Sequence, residues 1–409
     1  MSPESRKTQK SAEIVAANID LLIEILLRLP VKSLFRFKCV STQWLNLISS
    51  PYFSKNHTRK NTNPSTSGLL IMVKYPSLMY LSLNNSRPSY GPVPVFDFLK
   101  IPSYFTNLTI LGSCNGLLLC LLVAPPWNDI DVIYVVCNPT TKKSNHIPPL
   151  ENLARKPIVN MDLAFDPLES PHYKVVCVRH CNPPDGPDFE IWIFSSETGF
   201  WKTCQGPFLS FPRGMLFRGG VYWNKGIHYL DSHDGRSFYF KIEDETLKSL
   251  SMPRMQSELI TMKRSWYLGQ SGGYLHLVDI QTNIIRDSSI DIYELLDDYS
   301  GWVIRYRVEL SAMESLFPEM VQYIDAHPFL EDADRRFRIG RYYTYSVLSV
   351  VRKEGEDGFE LVLSIPNKII CYNPRNGASK VLVYFGDDRD RVGYEWNSVI
   401  HYIETLSPV

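Results

Sequence analysis

The chain has 409 residues, of which 44% are hydrophobic and 21% charged, and its 43 Lys and Arg balance its 43 Asp and Glu. This composition is typical of soluble globular proteins and leaves room for more than one domain. The zero net charge excludes a chain-wide attraction to nucleic acid or to a membrane surface, so neither is expected as a partner. Residues 1–60 differ, because they hold ten Lys or Arg and four Asp or Glu, and therefore suit an acidic partner.

The first 17 residues and the eight cysteines bear on the compartment. Residues 1–17 are mostly polar and lack the apolar core of a secretory signal, so we predict a disordered tail. The longest apolar run, Leu117 to Ala124, is too short to span a bilayer. The protein is therefore expected in the nucleus, the cytoplasm or both, with its cysteines as reduced thiols.

The stretch from Asn18 to His57 predicts three short helices. Apolar side chains of the first helix repeat at the spacing of one helix face, at Leu22, Ile25, Leu26 and Leu29. The first helix ends at Leu29-Pro30, because a residue before proline avoids the α region. The candidate N-caps are Asn18 or Asp20 for the first helix, Ser33 for a second from Leu34 to Val40, and Ser41 or Thr42 for a third that runs to Ser50-Pro51.

Three helices in about 40 residues cannot enclose this many large apolar side chains, because so small a unit has too little interior. Two outcomes follow. The surplus apolar surface binds a permanent partner, or the helices dock on the rest of the chain.

The residues of this stretch resemble the F-box. The resemblance is carried by the run from Asp20 to Ser41, by Trp44, and by the ending Ile48-Ser49-Ser50-Pro51-Tyr52-Phe53. It implies binding to a Skp-family adaptor and, through the adaptor, to a cullin scaffold of a ubiquitin ligase. F-boxes usually carry Leu-Pro where this chain has Ala17-Asn18, so a weaker first contact is expected. The candidate adaptor-binding residues, as interface or supporting core, are Leu22, Ile25, Leu26, Leu29, Pro30, Leu34, Phe37, Val40 and Trp44.

The remainder of the chain consists of repeated β-rich units. We place the F-box at 18–58, a polar linker at 59–67 and an all-β domain at 68–409. Most units read as strand, loop, strand and polar turn, and six degenerate copies begin near Gly68, Gly116, Tyr173, Gly219, Gly272 and Glu360. Repeats of about 40–50 residues with about four strands each predict a six-bladed β-propeller. A β-sandwich with helices is the alternative. Ile290 to Asp298 and Met313 to Phe337 look helical and are predicted to be insertions.

Short motifs of this domain resemble plant F-box-associated domains, and its Gly-Gly-aromatic starts are also kelch-like. They are Cys114-Asn115-Gly116-Leu117-Leu118, Asn138-Pro139-Thr140-Thr141-Lys142, Ala164-Phe165-Asp166-Pro167, Tyr173-Lys174-Val175-Val176 and Gly220-Val221-Tyr222-Trp223. The resemblance implies a domain that recruits target proteins, without indicating which.

Few residues indicate chemistry of the chain's own. His172, Cys177, His180 and Cys181 cluster, but they lack the paired spacing of structural zinc sites, and Cys177 lies in an apolar β run. No hydrolase, phosphate-loop or metalloprotease motif appears, so we expect a non-catalytic protein without metal or cofactor. We expect strand tryptophans to pack between blades rather than to bind a ligand. They are Trp192, Trp201, Trp223, Trp266 and Trp302.

Two functions remain open at this level. The chain is the target-recognition subunit of a ubiquitin ligase, or it is a sugar-binding or enzymatic propeller on which the N-terminal helices merely pack. For the first, two Pro-rich loops, 125–129 and 181–188, are candidate target sites. Their candidate target-binding residues are Trp127, Asp129, Asp185 and Asp188.

Overall fold

The computed structural model describes most of the chain, in sixteen parts. They are residues 18–61, 67–74, 77–83, 94–99, 107–123, 132–150, 158–180, 189–204, 217, 219–230, 237–253, 263–282, 289–324, 340–352, 358–385 and 399–409. The predicted tail at 1–17, most of the predicted linker and both candidate target loops lie outside these residues.

Helices come first and strands dominate afterwards. The helices are α1 (Ile19–Leu26), α2 (Val31–Phe37), α3 (Thr42–Ser49), α4 (Pro51–Lys60) and α5 (Leu310–Glu314), with 3-10 helices at Pro94–Leu99 and Pro318–Met320. The strands are β1 (Gly68–Lys74), β2 (Ser77–Ser82), β3 (Asn107–Cys114), β4 (Leu117–Val123), β5 (Val132–Asn138), β6 (Lys143–Ile147), β7 (Ile158–Ala164), β8 (Lys174–His180), β9 (Phe189–Ser195), β10 (Phe200–Thr203), β11 (Val221–Trp223), β12 (Gly226–Leu230), β13 (Ser237–Lys241), β14 (Thr246–Leu250), β15 (Lys263–Ser271), β16 (Tyr274–Thr282), β17 (Ser289–Leu295), β18 (Trp302–Glu309), β19 (Val321–Ile324), β20 (Gly340–Tyr343), β21 (Ser346–Arg352), β22 (Phe359–Ile365), β23 (Lys368–Tyr372), β24 (Ser379–Tyr384) and β25 (Val399–Tyr402).

The strands form the six blades of a β-propeller, which confirms the predicted fold. Blades 2 to 6 are antiparallel sheets of four consecutive strands, namely β3–β6, β7–β10, β11–β14, β15–β18 and β21–β24. Neighbouring blades touch through their first strands, so β3, β7, β11, β15 and β21 line the centre of the ring.

Blade 1 is assembled from both ends of the β domain. Its sheet has the order β2-β1-β25, so residues 399–402 pair with residues 68–71. Because β25 contacts β3, it occupies the inner position that the first strand holds in the other blades. The ring is thus closed by a strand about 330 residues distant in sequence from its partner.

Each junction between neighbouring blades contains its own buried apolar cluster. Alternate residues of a strand point to opposite faces of its sheet, so one strand serves two clusters. In β4, Leu117 and Leu119 face blade 3, whereas Leu118 and Cys120 face blade 1. Burial on both faces explains why these strands read as continuous apolar runs rather than as polar–apolar alternation.

The predicted helical insertions require correction. Ile290 to Asp298 is not helical, because Ser289–Leu295 is the third strand of blade 5. Ile290 and Ile292 are buried at a spacing of two, which is the strand period. Within Met313 to Phe337, the described part contains the end of α5, a 3-10 turn and β19. The true insertion between blades 5 and 6 is therefore α5, the 3-10 turn and the β19–β20 hairpin.

The tryptophans lie between blades as predicted. The Trp201 indole in blade 3 donates a hydrogen bond to the Pro148 carbonyl beside blade 2, at 2.8 Å. Trp302 in blade 5 donates in the same way to Ser251 beside blade 4, also at 2.8 Å. Each indole thus packs its apolar ring on a junction and anchors its polar edge to the neighbouring blade.

Candidate interaction surfaces

The N-terminal helices enclose a small apolar core. It contains Leu22, Leu26, Leu27, Val31, Leu34, Ile48, Phe53 and, from the far end of the chain, Leu406. Phe37 and Trp44 pack against this core in an edge-to-face pair whose ring centroids are 5.5 Å apart. Eight buried side chains are few, which agrees with the expectation that so small a unit depends on other surfaces.

Two of the predicted helix caps are confirmed and one is wrong. The Asn18 side chain accepts hydrogen bonds from the backbone N–H groups of Asp20 and Leu21, and Ser41 accepts one from Trp44. Ser33 caps nothing, because α2 already begins at Val31 and its N-cap position is Pro30, which has no side-chain acceptor.

A fourth helix follows the three that were predicted. The Ser50 side chain accepts a hydrogen bond from the Phe53 N–H, and Pro51 occupies the first helical position of α4. Ser-Pro is a favoured helix start, since proline has the required φ and no N–H to leave unpaired. The pair that was taken as the end of the third helix therefore also begins the next one.

The α4 helix fixes the turn after α1. The His57 ring nitrogen Nε2 lies 2.9 Å from the Leu29 carbonyl, and Asn61 donates to the Leu27 carbonyl at 3.1 Å. Burial lowers the pKa of His57, so the neutral ring is favoured. Lys60 binds Glu24 at 2.7 Å on the exposed side and lowers the pKa of that carboxyl group.

The nine predicted adaptor-binding residues divide by exposure. Ile25, Val40 and Pro30 are exposed, and the first two leave 48% and 59% of their surface open. Leu22, Leu26 and Leu34 are buried, so they support the surface from inside. Leu29, Phe37 and Trp44 are half-buried.

Sequence reasoning missed four exposed apolar side chains of the same helices. They are Ile19, Leu21, Leu45 and Tyr52, each at least 43% exposed. Leu21 and Ile25 are four residues apart on α1 and are therefore neighbours on one helix face. The candidate residues of α1 were chosen from one helix face with a 3.6-residue period. Leu21, which lies off that face, was the signal in the sequence for a second apolar side.

The helical unit contacts the propeller through residues after β25. Lys32 of α2 binds Glu404 at 2.8 Å, and this hydrogen bond raises the pKa of the lysine. Burial lowers the pKa of Lys38, and Lys143 at the start of β6 lowers it further, so the unit lies near blade 2.

The propeller has a pocket of about 280 Å³ between blades 5 and 6, lined by Tyr306, Arg307, Phe359, Pro374 and Arg375. Tyr306 and Phe359 stack there with ring centroids 3.8 Å apart. The Arg307 guanidinium already binds both oxygens of Asp291, at 2.6 and 2.8 Å, so its charge is largely neutralised.

Buried polar groups of the propeller hold blades together. The Asp162 carboxylate in blade 3 accepts a hydrogen bond from the Tyr229 hydroxyl in blade 4 at 2.6 Å. Burial raises the pKa of Asp162 to about 6. Of the candidate zinc cluster, Cys177 is fully buried, His172 and His180 are exposed, and Cys181 lies outside the described residues. The described residues contain no group of three or more His, Cys, Asp or Glu arranged for a metal ion.

Comparison with known proteins gives two family matches. Residues 18–56 match the F-box domain, and residues 70–263 match the F-box associated beta propeller domain. Within the described parts of the chain, no helix has the length and apolarity required to cross a membrane.

Similar whole proteins agree with these matches. An Arabidopsis thaliana protein named F-box protein At5g07610 is 30% identical and is matched over 98% of this chain and 94% of its own length. F-box only protein 8 of the same plant is 29% identical over 58% of this chain and 79% of its own length. Among solved structures, the β-propeller domain of the Trilobed protease from Pyrococcus furiosus is similar, with 10% identity and a TM-score of 0.33, covering 76% of this chain and 88% of that one. The F-box at the start of the chain, the six blades behind it and a relative matched along almost its whole length show that this protein belongs to the F-box proteins with an F-box-associated β-propeller domain.

Proposed function

We propose that the protein is the target-recognition subunit of a Skp-cullin-F-box ubiquitin ligase. The exposed apolar surface of the F-box carries this proposal. Residues 18–60, which contain the four N-terminal helices, expose six large apolar side chains, although a buried core lies beneath them. Exposed apolar surface on a folded unit is typical of a binding site.

Charge favours the same partner. Residues 18–60 hold seven Lys or Arg and two Asp or Glu. A basic surface accelerates encounter with an acidic partner and aligns it, and the Skp-family adaptors implied by the F-box are acidic. The adaptor would connect the chain to a cullin scaffold, and both assemble in the nucleus or cytoplasm, where we place this protein.

The test separates interface residues from core residues. Ile25→Asp and Val40→Asp place a charge on exposed side chains, so the free protein keeps its thermal midpoint. In the complex the same charge would be buried without a partner, and adaptor affinity should fall at least about a hundredfold. Leu316→Asp, at a 48% exposed leucine beside α5, is the matched control and should bind normally. Unchanged affinity of both interface variants by calorimetry would contradict the proposal.

The chain itself is proposed to be non-catalytic. In such a ligase the thioester chemistry belongs to other subunits, and the target-recognition subunit supplies proximity. Purified chain mixed with ubiquitin and a charged conjugating enzyme should therefore transfer nothing until adaptor and cullin are added. Transfer by the isolated chain would overturn this part.

The two Pro-rich loops remain our proposed target site. Trp127 and Asp129 in one loop, and Asp185 and Asp188 in the other, would contact the target protein. Both loops connect the second and third strands of a blade, in blades 2 and 3. The connections between equivalent strands of neighbouring blades open on the same face of a propeller, so one target can reach both. Replacing both loops by short Gly-Ser turns should abolish target capture and leave adaptor binding unchanged; normal capture would refute the assignment.

A further inference from the structure

Eight residues that begin at the last residue of β25 contact both the propeller and the F-box. Residues 402–409, here the 402–409 segment, run from blade 1 over blade 2, where Leu406 enters the F-box core and Val409 packs at the junction of blades 2 and 3. Tyr402 completes β25, and its hydroxyl lies 2.8 Å from that of Thr140 in the turn of blade 2. Leu406 is 8% exposed and belongs to the buried cluster of the F-box.

Blade 2 holds the segment through one fully buried amide. The Asn138 Nδ2 donates to the carbonyl of Ser407 at 2.8 Å and to that of Thr405 at 3.2 Å. Its Oδ1 accepts from the backbone N–H groups of Thr140 and Thr141. Two acceptor bonds on the oxygen and two donor bonds on the nitrogen fix the orientation of the amide, which saturates its hydrogen-bonding capacity.

The turn between β3 and β4 makes room for the segment. Gly116 has φ +88°, and a Cβ at this position would overlap the Thr405 side chain and approach the Ile403 carbonyl. Thr405 and Ser407 are themselves buried and bind each other, with their hydroxyl oxygens 2.8 Å apart. The polar groups of the segment are thus satisfied by blade 2 and by the segment itself.

The F-box holds the other side of the segment. Besides the Leu406 side chain, Lys32 binds Glu404 at 2.8 Å, and the Glu404 side chain is only 16% exposed. The Glu404 N–H also lies 3.4 Å from the Ser67 hydroxyl, just before β1. Within eight residues, the segment therefore joins blade 1, blade 2 and the F-box.

We infer that the 402–409 segment fixes the orientation of the F-box on the propeller, with Asn138 and Leu406 as its positioning residues. In the terms of the proposed function, on which this meaning rests, the segment sets where a bound target lies relative to the adaptor. Leu406 and Glu404 supply an apolar contact and an ion pair between the two domains, so loss of the segment would leave the F-box less restrained on the propeller.

The repeat supplies a control for Asn138. Asn373 begins the corresponding turn of blade 6, and its Oδ1 accepts from the Arg375 N–H in the same way. In the described part of the chain, the hydrogen bonds of Asn373 go to Arg375, Gly377 and Ala378 of its own turn and not to the 402–409 segment. Asn138→Asp keeps the two bonds that cap its turn, but replaces the donor to the segment by an acceptor facing two carbonyls. Asn373→Asp makes the identical change without touching the segment.

The experiment measures the distance between the two domains. Spin labels are placed at Gln43 on α3 and at Glu197 in blade 3, both exposed. Cys39→Ser removes the exposed thiol of the described residues, and Cys181→Ser removes the cysteine that lies outside them. Pulsed dipolar spectroscopy on the full chain should give one narrow distribution for the parent and for Asn373→Asp. Asn138→Asp and Leu406→Ala should broaden it at least about twofold, while Leu406→Met, which keeps the volume, should restore it.

The outcomes distinguish the possible failures. Narrow distributions in both Asn138→Asp and Leu406→Ala would overturn the inference. If Asn138→Asp lowers the thermal midpoint of the whole protein, Leu406→Ala decides, since that side chain lies in the F-box core and not between blades. The measurement is made without adaptor and repeated with it. Failure of the parent to bind the adaptor would refute the proposed function. The spin-label distances measured without adaptor would still test whether the 402–409 segment fixes the orientation of the F-box.

Discussion

The F-box and the propeller bury their apolar side chains in different ways. In the propeller, both faces of a blade are covered by its neighbours, and the ring closes on itself through β25. The F-box has one thin core, takes Leu406 from outside to complete it, and still leaves Ile25 and Val40 exposed. A closed ring can be stable alone, whereas an open helical unit is completed by whatever covers it. The predictions below test that difference, from the largest effect to the smallest.

Disruption of β25, the strand that closes the ring, should unfold the propeller. Val399 faces the blade 6 junction and Ile400 faces the blade 2 junction, so Val399→Asp with Ile400→Asp places a charge on each face of β25. The combined cost should be about 5 kcal/mol or more, which is comparable with the whole stability of a typical domain. We expect loss of the cooperative unfolding transition followed by tryptophan fluorescence in urea. Val381→Asp, at a 41% exposed position of outer strand β24, should unfold like the parent.

A charge in the F-box core should unfold the F-box while the propeller remains folded. Leu26 is 1% exposed, and Leu26→Asp should destabilise the F-box by roughly 3–5 kcal/mol, because a buried charge there has no partner. Hydrogen exchange should then become fast throughout α1 to α4 and stay slow in the inner strands. Leu21→Asp, on the same helix but 48% exposed, should leave exchange unchanged. Equal acceleration in the propeller strands would show that the two regions are one cooperative unit.

A buried histidine of the propeller should make the stability of the protein depend on pH. His228 is fully buried and contacts the rings of Tyr239 and Tyr299, and burial lowers its pKa to about 4. The histidine pKa of the unfolded chain is about 6.5, so between pH 6.5 and 4 the unfolded chain is protonated at this residue and the native state is not. Stability therefore falls as pH drops from 6.5 towards 4, with a contribution from His228 of about 2 kcal/mol by pH 5.

The matched variant is His228→Gln, which keeps a donor and an acceptor but cannot titrate. Urea unfolding at pH 7.5 and at pH 5 should show a smaller pH dependence in this variant than in the parent. An equal dependence in both would mean that His228 is protonated in the native state.

Local sequence patterns were sufficient for much of this structure. The F-box helices, two of their caps and the six blades follow from side-chain period, turn chemistry and repetition. The Ser50-Pro51 start of α4 was also readable, since Ser-Pro is a favoured helix beginning. Ile290 to Asp298 was predicted to be helical, but Ile290 and Ile292 are buried at the strand period and Ser289–Leu295 forms β17.

Non-local pairing could not be predicted in the same way. The β25 strand has four residues, and nothing in Val399 to Tyr402 indicates that its partner lies at residues 68–71. Asn138 looked like an ordinary turn residue, and only the structure brings its amide to Thr405 and Ser407. The division of the F-box apolar residues into core and surface likewise depends on how four helices pack, which a single helix period does not contain.

Closure by β25 has a consequence for synthesis on the ribosome. When β24 has left the ribosome, five blades can already form, but β1 still presents an unpaired edge and blades 2 and 6 each lack a neighbour on one face. Only the translation of residues 399–409 supplies the missing strand and, directly after it, Leu406 for the F-box. The nascent chain thus carries an incomplete ring and an incomplete F-box core through most of its elongation, the interval in which chaperones are most needed. Both regions are completed by residues 399–409, so maturation of the propeller and of the F-box is synchronised.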